Sequence, residues 1–287
     1  MKIKKLLRTT AMLTFGTCSI ATQAADWSDT YIGYSYGTKF EEPYVNQGDI
    51  TKSIIHLSSV DGYSLGTNFF DVDFLMSDSH DPAGQNTTSG ATEAYVVYRN
   101  TVAFSKLLGK SFKYGVISDL GTTFGFDANA KTDAGYNSKK RMGVLGPTVM
   151  FDVPGFLNVS LLELWESNAP CSTFTNSCIS RYNYKPHPML SAAWGIPIGS
   201  SPFSFEGYAL WIASKGTNEF GGQTVAETNI DMEIMLDVGA VSNGPKGKFK
   251  VGFEYQYWKN KFGNDYTLPG DSGAFAKTPM IRGEYHF

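Results

Sequence analysis

From Ile230 to Val238 every second residue is apolar: Ile230, Met232, Ile234, Leu236 and Val238. Asn229, Asp231, Glu233 and Asp237 fill the other row, with only Met235 among them. Successive side chains of a strand point to opposite faces, so such a segment has one oily face and one face carrying three carboxylates. The same alternation recurs. Ile32, Tyr34, Tyr36, Thr38 and Phe40 oppose Gly33, Ser35, Gly37 and Lys39. Phe112, Tyr114, Val116, Leu120, Phe124 and Phe126 oppose Lys113, Gly115, Asp119, Gly121, Gly125 and Asp127. Phe249, Val251, Phe253, Tyr255 and Tyr257 oppose Lys248, Lys250, Gly252, Glu254 and Gln256. Period-two segments are predicted over 30–40, 51–60, 63–77, 91–104, 112–127, 139–153, 156–167, 185–197, 203–215, 226–241, 247–262 and 274–287. Over 156–167 two registers compete, because Asn158 and Ser160 set one inward row and Glu163 the other.

The connections sort into two kinds. Long polar segments (EEPYVNQGD, DSHDPAGQNTTSG, ANAKTDAGYN, NAPCSTFTNSCISRYNY, TNEFGGQTVA, NDYTLPGDSG) take turns with short ones (DG, KLLGK, PG, GSSP, SNGPKG). That pattern predicts an all-β fold: a transmembrane antiparallel β-barrel of about 12 strands, with short periplasmic turns and long extracellular loops. In lipid every backbone polar group must be satisfied within the protein, so a closed barrel is the sheet that can span. A soluble sandwich also alternates, but its strands average five or six residues. Many of the segments here run to ten or more, and aromatic residues make up 14% of the chain. Tyr34, Tyr36, Phe40, Phe112, Phe126, Phe203, Phe205, Trp211, Tyr255, Tyr257 and Tyr285 are expected on the outward face, with ring bodies in the apolar zone and polar tips near headgroups.

The first residues change the compartment. Lys2, Lys4, Lys5 and Arg8 precede a short apolar run and then TQAAD, with small residues at the exit, the layout of a secretory signal peptide cleaved after Ala24, or one residue on after Ala25. Residues 25–287 then form a single barrel. The whole chain holds 24 basic and 27 acidic side chains; losing those four cations leaves 20 against 27, a mature charge of −7. No basic patch offers itself to phosphates, so nucleic acid is not an expected partner. Cys171 and Cys178, in a polar stretch of an exported chain, are expected to form a local disulfide. No His or second cysteine pair sits at zinc spacing, and no metal or cofactor is expected.

Four strings carry a more specific likeness: DWSDTYIGYSYGTKF, VDGYSLGTNFFDVDFLMSDSHDP, KRMGVLGPTVMFDVPGFLNVSLL and FEYQYWKNKFGND. They resemble the nucleoside-specific channel-forming (Tsx-like) outer-membrane family, in its OmpK-type branch, from about Asp26 to Phe287. The resemblance implies a twelve-stranded monomeric barrel in the outer membrane of a Gram-negative bacterium, whose narrow pore passes nucleosides by diffusion. It also implies use of the long loops as phage attachment points. The terminal IRGEYHF places Tyr285 and Phe287 on one face and resembles the signal by which the barrel-assembly machinery takes up its clients. The cysteine pair is not part of the family pattern. The strings do not contain the family's solute contacts, so a site must be read from the inward rows.

A nucleoside is neutral, with a stackable base and a hydroxylated sugar. Aromatic faces suit the base, and carboxylates or amides suit the hydroxyls. The third strand offers Phe69, Asp71 and Asp73 on one face, and the fourth Glu93, Tyr95 and Arg99. The fifth offers Lys113, Asp119 and Asp127, the tenth Asn229, Asp231, Glu233 and Asp237, and the eleventh Glu254 with Gln256. Arg282, Glu284 and His286 complete a mixed-charge lining. Most of these charges are expected to pair across the lumen and hold the wall, leaving Phe69 and Tyr95 as the preferred stacking rings. An enzyme is not expected. A barrel phospholipase needs a serine beside a histidine; SNG occurs at Ser242–Gly244, but Ala240 stands where that histidine belongs. A surface receptor or adhesin without a selective pore is the other reading that the long loops allow.

Overall fold

In the computed structural model, residues 25–287 are described apart from Tyr44 and the side chains of residues 45–48. The expected signal peptide lies outside the described residues. Twelve long strands are present among the described residues. They are β1 (Trp27–Glu42), β2 (Val45–Tyr63), β3 (Gly66–Ser77), β4 (Thr92–Ala103), β5 (Ile117–Lys131) and β6 (Arg141–Phe151). The chain continues with β7 (Phe156–Asn168), β8 (His187–Pro197), β9 (Phe203–Ile212), β10 (Glu227–Asp237), β11 (Phe249–Lys259) and β12 (Phe275–His286). Each pairs antiparallel with its neighbours in sequence. The last strand returns to the first through a register running from Tyr31↔His286 to Gly37↔Met280. The sheet is therefore closed, and no strand of it presents an unpaired edge.

Closure gives every strand an inside and an outside. On β10 the even residues Thr228 to Leu236 face out and the odd residues Glu227 to Asp237 face in. Ile234 is half exposed whereas Met235 is fully buried. Ile32, Tyr34 and Tyr36 on β1, Leu161 and Trp165 on β7, and Phe249 and Phe253 on β11 continue the exposed apolar exterior. On β7 the rungs Asn158↔Ala193 and Ser160↔Ser191 lie inward with Glu166, and Glu163 faces outward opposite Leu145 and Pro188. That settles the register left open in sequence: the inward row carries Leu162 and Leu164, two leucines that made it look like the lipid side.

Three local events depart from simple alternation. The register of β1 against β2 shifts between Gly37 and Phe40 and again before Glu42. An irregularity of this kind turns the following side chains over, so Phe40, expected outside, is buried inside with Ile50, Ile54 and Met280. The expected loop 41–49 is mostly strand, with β1 and β2 continuing to Glu42 and from Val45. The fifth strand, expected from residue 112, begins at Ile117 and continues to Lys131. Ahead of it lie a short helix, α1 (Phe104–Leu108), and left-handed backbone at Gly109 and Gly115. Phe112 consequently packs edge-on to Phe104 in a turn, not on a strand. A second short helix, α2 (Val238–Ser242), ends β10 where the pattern predicted strand up to residue 241.

The turns at one end are short, the periplasmic side in barrels of this kind. The other end carries 78–91, 132–140, 169–186, 213–226 and 260–274. In 169–186 Cys171 and Cys178 form the expected disulfide across a two-residue ladder. Tyr136 donates to Glu219, and Tyr184 donates to the same carboxylate at 2.6 Å, so three connections are clasped together.

An arginine on the outward row tests which face meets lipid. Ile234→Arg is expected to cost about 2–4 kcal/mol if it sits near the bilayer centre, and Thr228→Arg nearer the rim about 0–1 kcal/mol. Urea unfolding from liposomes measures both. Equal costs at the two positions would place the apolar row somewhere other than in the membrane.

Candidate functional site

The inward rows meet in the lumen, and the charges they carry pair across strands far apart in sequence. Arg282 on β12 lies 3.2 Å from Glu233, 3.3 Å from Glu254 and 2.7 Å from Glu284. Its guanidinium also donates to the Tyr31 hydroxyl at 2.8 Å. Ser35 donates to Glu254 at 2.6 Å, although the two residues are 219 positions apart. His56 Nε2 lies 2.9 Å from the same Ser35 hydroxyl and its Nδ1 2.6 Å from Asp73. Because the Ser35 proton goes to Glu254, His56 Nε2 must donate to that oxygen, and a further proton lies between Nδ1 and Asp73. Ser35–His56–Asp73 repeats the connectivity of a hydrolytic triad. Ser35 has no exposed surface and its proton is directed at a carboxylate, so the serine acts as a link in a wall-to-wall network.

Most residues expected in the lumen are there. Phe69, Asp71 and Asp73 are on the inward row of β3, each opposite an inward residue of β4. Phe69 keeps 38% of its surface open. Asp127 takes Arg99 and also accepts from Tyr95 at 3.3 Å. Glu93 accepts from Asn129 at 2.5 Å. Asp231 accepts from Gln256 at 3.0 Å, and Asn229 donates to Tyr208 at 3.4 Å. Three expected lining residues are engaged at the turn end or outside the barrel. Lys113 lies in the turn before β5, 60% exposed and 2.6 Å from Asp152; the glycine-flanked turn, absent from the alternation, carries it out of the barrel. Asp119 sits at the foot of β5, where it accepts from the Ser105 hydroxyl and backbone N–H and so holds α1. Asp237 accepts from Ala240 N at 3.3 Å and Gly247 N at 2.9 Å, the capping role its position before α2 calls for. It still borders a cavity of about 640 Å³ at the turn end, with Glu206, Lys250 and Ser204 around it.

Beyond this network, apolar side chains also point inward. Two inward apolar clusters face each other's side of the barrel: Phe40, Ile50, Ile54 and Met280, and Val144, Leu162, Leu164 and Met189. An ion layer lies toward the long-loop end. Glu42 takes Lys52, with Lys261 at 3.1 Å and Lys131 at 3.5 Å. Lys131 also lies 3.0 Å from Asp133 and 3.2 Å from Asp81, a residue that the 78–91 loop brings inward. Asp81 is fully buried, accepts from Ser77 at 2.8 Å through one oxygen and has no partner on the other. Glu166 holds Lys215 at 2.8 Å and Lys140 at 3.4 Å. The ammonium groups rest on rings: Lys140 3.9 Å over Phe262, Lys215 4.2 Å over Tyr184 and Lys261 4.3 Å over Trp258. Burial pushes the Asp81 carboxyl up to about 6 against the charge of Lys131, and burial lowers Lys261 to about 8.

Sequence reasoning missed His56, Ser35, Tyr208, Trp258 and this ion layer. The alternation over Lys52, Ile54, His56 and Ser58 was blurred by inward isoleucines, and the loop lysines and acids had no strand row to mark them.

Comparison with known proteins returns solved structures of low similarity only. No family model matches the chain, and no curated protein matches it. Among solved structures, the KdgM porin is 8% identical over 90% of this chain and 99% of its own, with a TM-score of 0.42. The translocator domain of the autotransporter NalP from Neisseria meningitidis is 12% identical over 91% and 88%, with a TM-score of 0.41. The outer membrane protein opdK from Pseudomonas aeruginosa is 8% identical over 92% and 99%, with a TM-score of 0.25. The chain is a barrel of the outer-membrane kind, a statement that stands on its own closed sheet, apolar exterior and polar lumen.

Two measurements test the network. Arg282→Ala leaves three carboxylates without their shared cation and is expected to cost about 3–5 kcal/mol in unfolding; a cost under about 1 kcal/mol would mean that the carboxylates are not held by it. For Asp81, a folded value of about 6 lies above the unfolded value, so its contribution is present in acid and lost as pH rises through about 6. Backbone amides of 78–91 are expected to exchange more slowly at pH 5 than at pH 7.5 after correction for intrinsic rates. Asp81→Asn should flatten that difference, and faster exchange at pH 5 in the unaltered protein would reverse the assignment.

Proposed function

We propose that the protein is an outer-membrane channel for small polar solutes, with nucleosides the favoured class. The observation that carries this reading is the inward row of β3. Phe69 leaves 38% of its surface open, Asp73 leaves 29% of its side chain open, and Asp71 stands between them. A ring face beside carboxylates is a chemistry that suits a base joined to a sugar: the ring stacks, and the carboxylates accept from hydroxyls. Arg99 lies on the rung of Phe69 and adds donors for a ring oxygen or nitrogen. The resemblance of the strings around Gly66–Asp73 and Lys140–Leu162 to the Tsx-like family supports the same class. Binding must be weak, since a pore with no energy source has to release what it holds.

The test is solute entry into liposomes carrying the refolded protein, comparing a nucleoside with a sugar of similar mass. Faster nucleoside entry that saturates with concentration is expected, and Phe69→Ala should reduce the preference several-fold while sparing the sugar rate. Equal entry would leave a general channel. Entry of neither would favour a surface receptor whose lumen is shut by the network and ion layer.

A further inference from the structure

The lumen network is short of cations, and its shortage has a consequence for which ions cross. Six inward carboxylates gather around the middle of the barrel: Asp71, Asp73, Asp231, Glu233, Glu254 and Glu284. The cations that reach them are Arg282, which serves Glu233, Glu254 and Glu284, His56, which serves Asp73, and His286, which lies 3.2 Å from Glu284 and is shared with Asp29. Two other inward cations are already matched. Lys250 is 3.0 Å from Glu206, and Arg99 is held by Asp127. Asp231 accepts from the Gln256 amide at 3.0 Å and shares a hydrogen bond with Glu254, and among the described residues no cation lies within ion-pair distance of it. Six carboxylates therefore face Arg282, His56 and a His286 already shared with Asp29, and the acidic groups outnumber the cations in contact with them.

A second observation points the same way. Asn229 is next to Asp231 on the inward row of β10, is 94% buried by its 6% exposure, and has its carboxamide oxygen without a hydrogen-bond partner. Its amide nitrogen is turned to the Tyr208 hydroxyl. A buried acceptor left open beside an unmatched carboxylate is the arrangement that a cation, not an anion, completes. Charge within a membrane-spanning wall marks the permeation path, and rings of carboxylates make a pore prefer cations.

We propose that the barrel is cation-selective, with Asp231 and the Asn229 oxygen forming the place in the constriction where a permeant monovalent cation replaces part of its hydration shell. The proposal rests on the barrel being a channel and goes beyond the solute class. It requires the same lumen to disfavour anionic solutes, so a nucleoside carrying phosphate is repelled where the neutral nucleoside is admitted.

The experiment is the reversal potential of the full refolded protein in a planar bilayer under a potassium chloride gradient. A potential of the sign set by potassium, with potassium several-fold more permeant than chloride, is expected. Asp231→Asn keeps shape and is expected to lower that ratio at least two-fold, and Asn229→Leu to lower it as well. Lys246→Gln, at the edge of the turn-end cavity, should leave it unchanged. A chloride preference, no preference, a ratio indifferent to Asp231→Asn, or a correctly folded barrel with no conductance would each overturn the proposal. The nucleoside reading fails separately: a cation-selective pore that excludes nucleosides defeats only that reading, and a non-selective pore that admits them defeats only this one.

Discussion

The hydrocarbon interior of a bilayer has nothing to offer an unpaired backbone N–H or C=O, and this constraint organises the molecule. It forces β12 back onto β1, with Tyr31 opposite His286 and Gly37 opposite Met280. Once the sheet is closed, each strand has a lipid side and a lumen side, and the side-chain period of two assigns every residue between Trp27 and His286 to one of them wherever the strand is regular. Charge then has one place to go. Arg282, Glu233, Glu254 and Glu284 come from three strands and meet because each would be costly anywhere else at that depth.

The lumen is arranged in layers of different character. Near the short turns it opens into a cavity bordered by Glu206 and Lys250. The middle carries the carboxylate network threaded by His56 and Ser35. Toward the long loops come apolar clusters and then an ion layer in which Glu42 alone gathers three lysines. Buried ion pairs of this sort add little net stability over apolar packing. Their effect here is to fix where the 78–91 loop sits, since Asp81 is tied to Lys131 and to Ser77. Counted from the long-loop end, the ion layer comes first, the apolar clusters second and the middle network third.

How much of this could be read from the sequence follows from the range of each interaction. The alternation along β10 and β11 is local and could be read residue by residue, and so could the count of strands and the two kinds of connection. The disulfide is local too, joining residues seven apart. The irregularity that turns Phe40 inward is a property of β1 paired with β2, and nothing in the β1 row alone announces it. Lys113 and Phe112 alternated correctly but fell before the strand, because Gly109 and Gly115 made a turn that period two does not register. Pairings such as Ser35 with Glu254 depend on closure of the whole barrel. The inward rows could therefore be named from sequence, but their partners across the lumen could not.

The central claim is that alternate residues of one strand face lipid and lumen, and a nitroxide scan along residues 228–237 in liposomes tests it most directly. Cys171 and Cys178 are joined to each other, so single cysteines introduced into the protein without residues 1–24 carry the label. Collisions with oxygen, which concentrates in the bilayer core, should be frequent at Ile230, Met232 and Ile234 and infrequent at Asn229, Asp231 and Glu233. A period of two in that profile is the predicted result. A flat profile, or frequent oxygen collisions at the carboxylate positions, would contradict the lumen on which the functional reading stands.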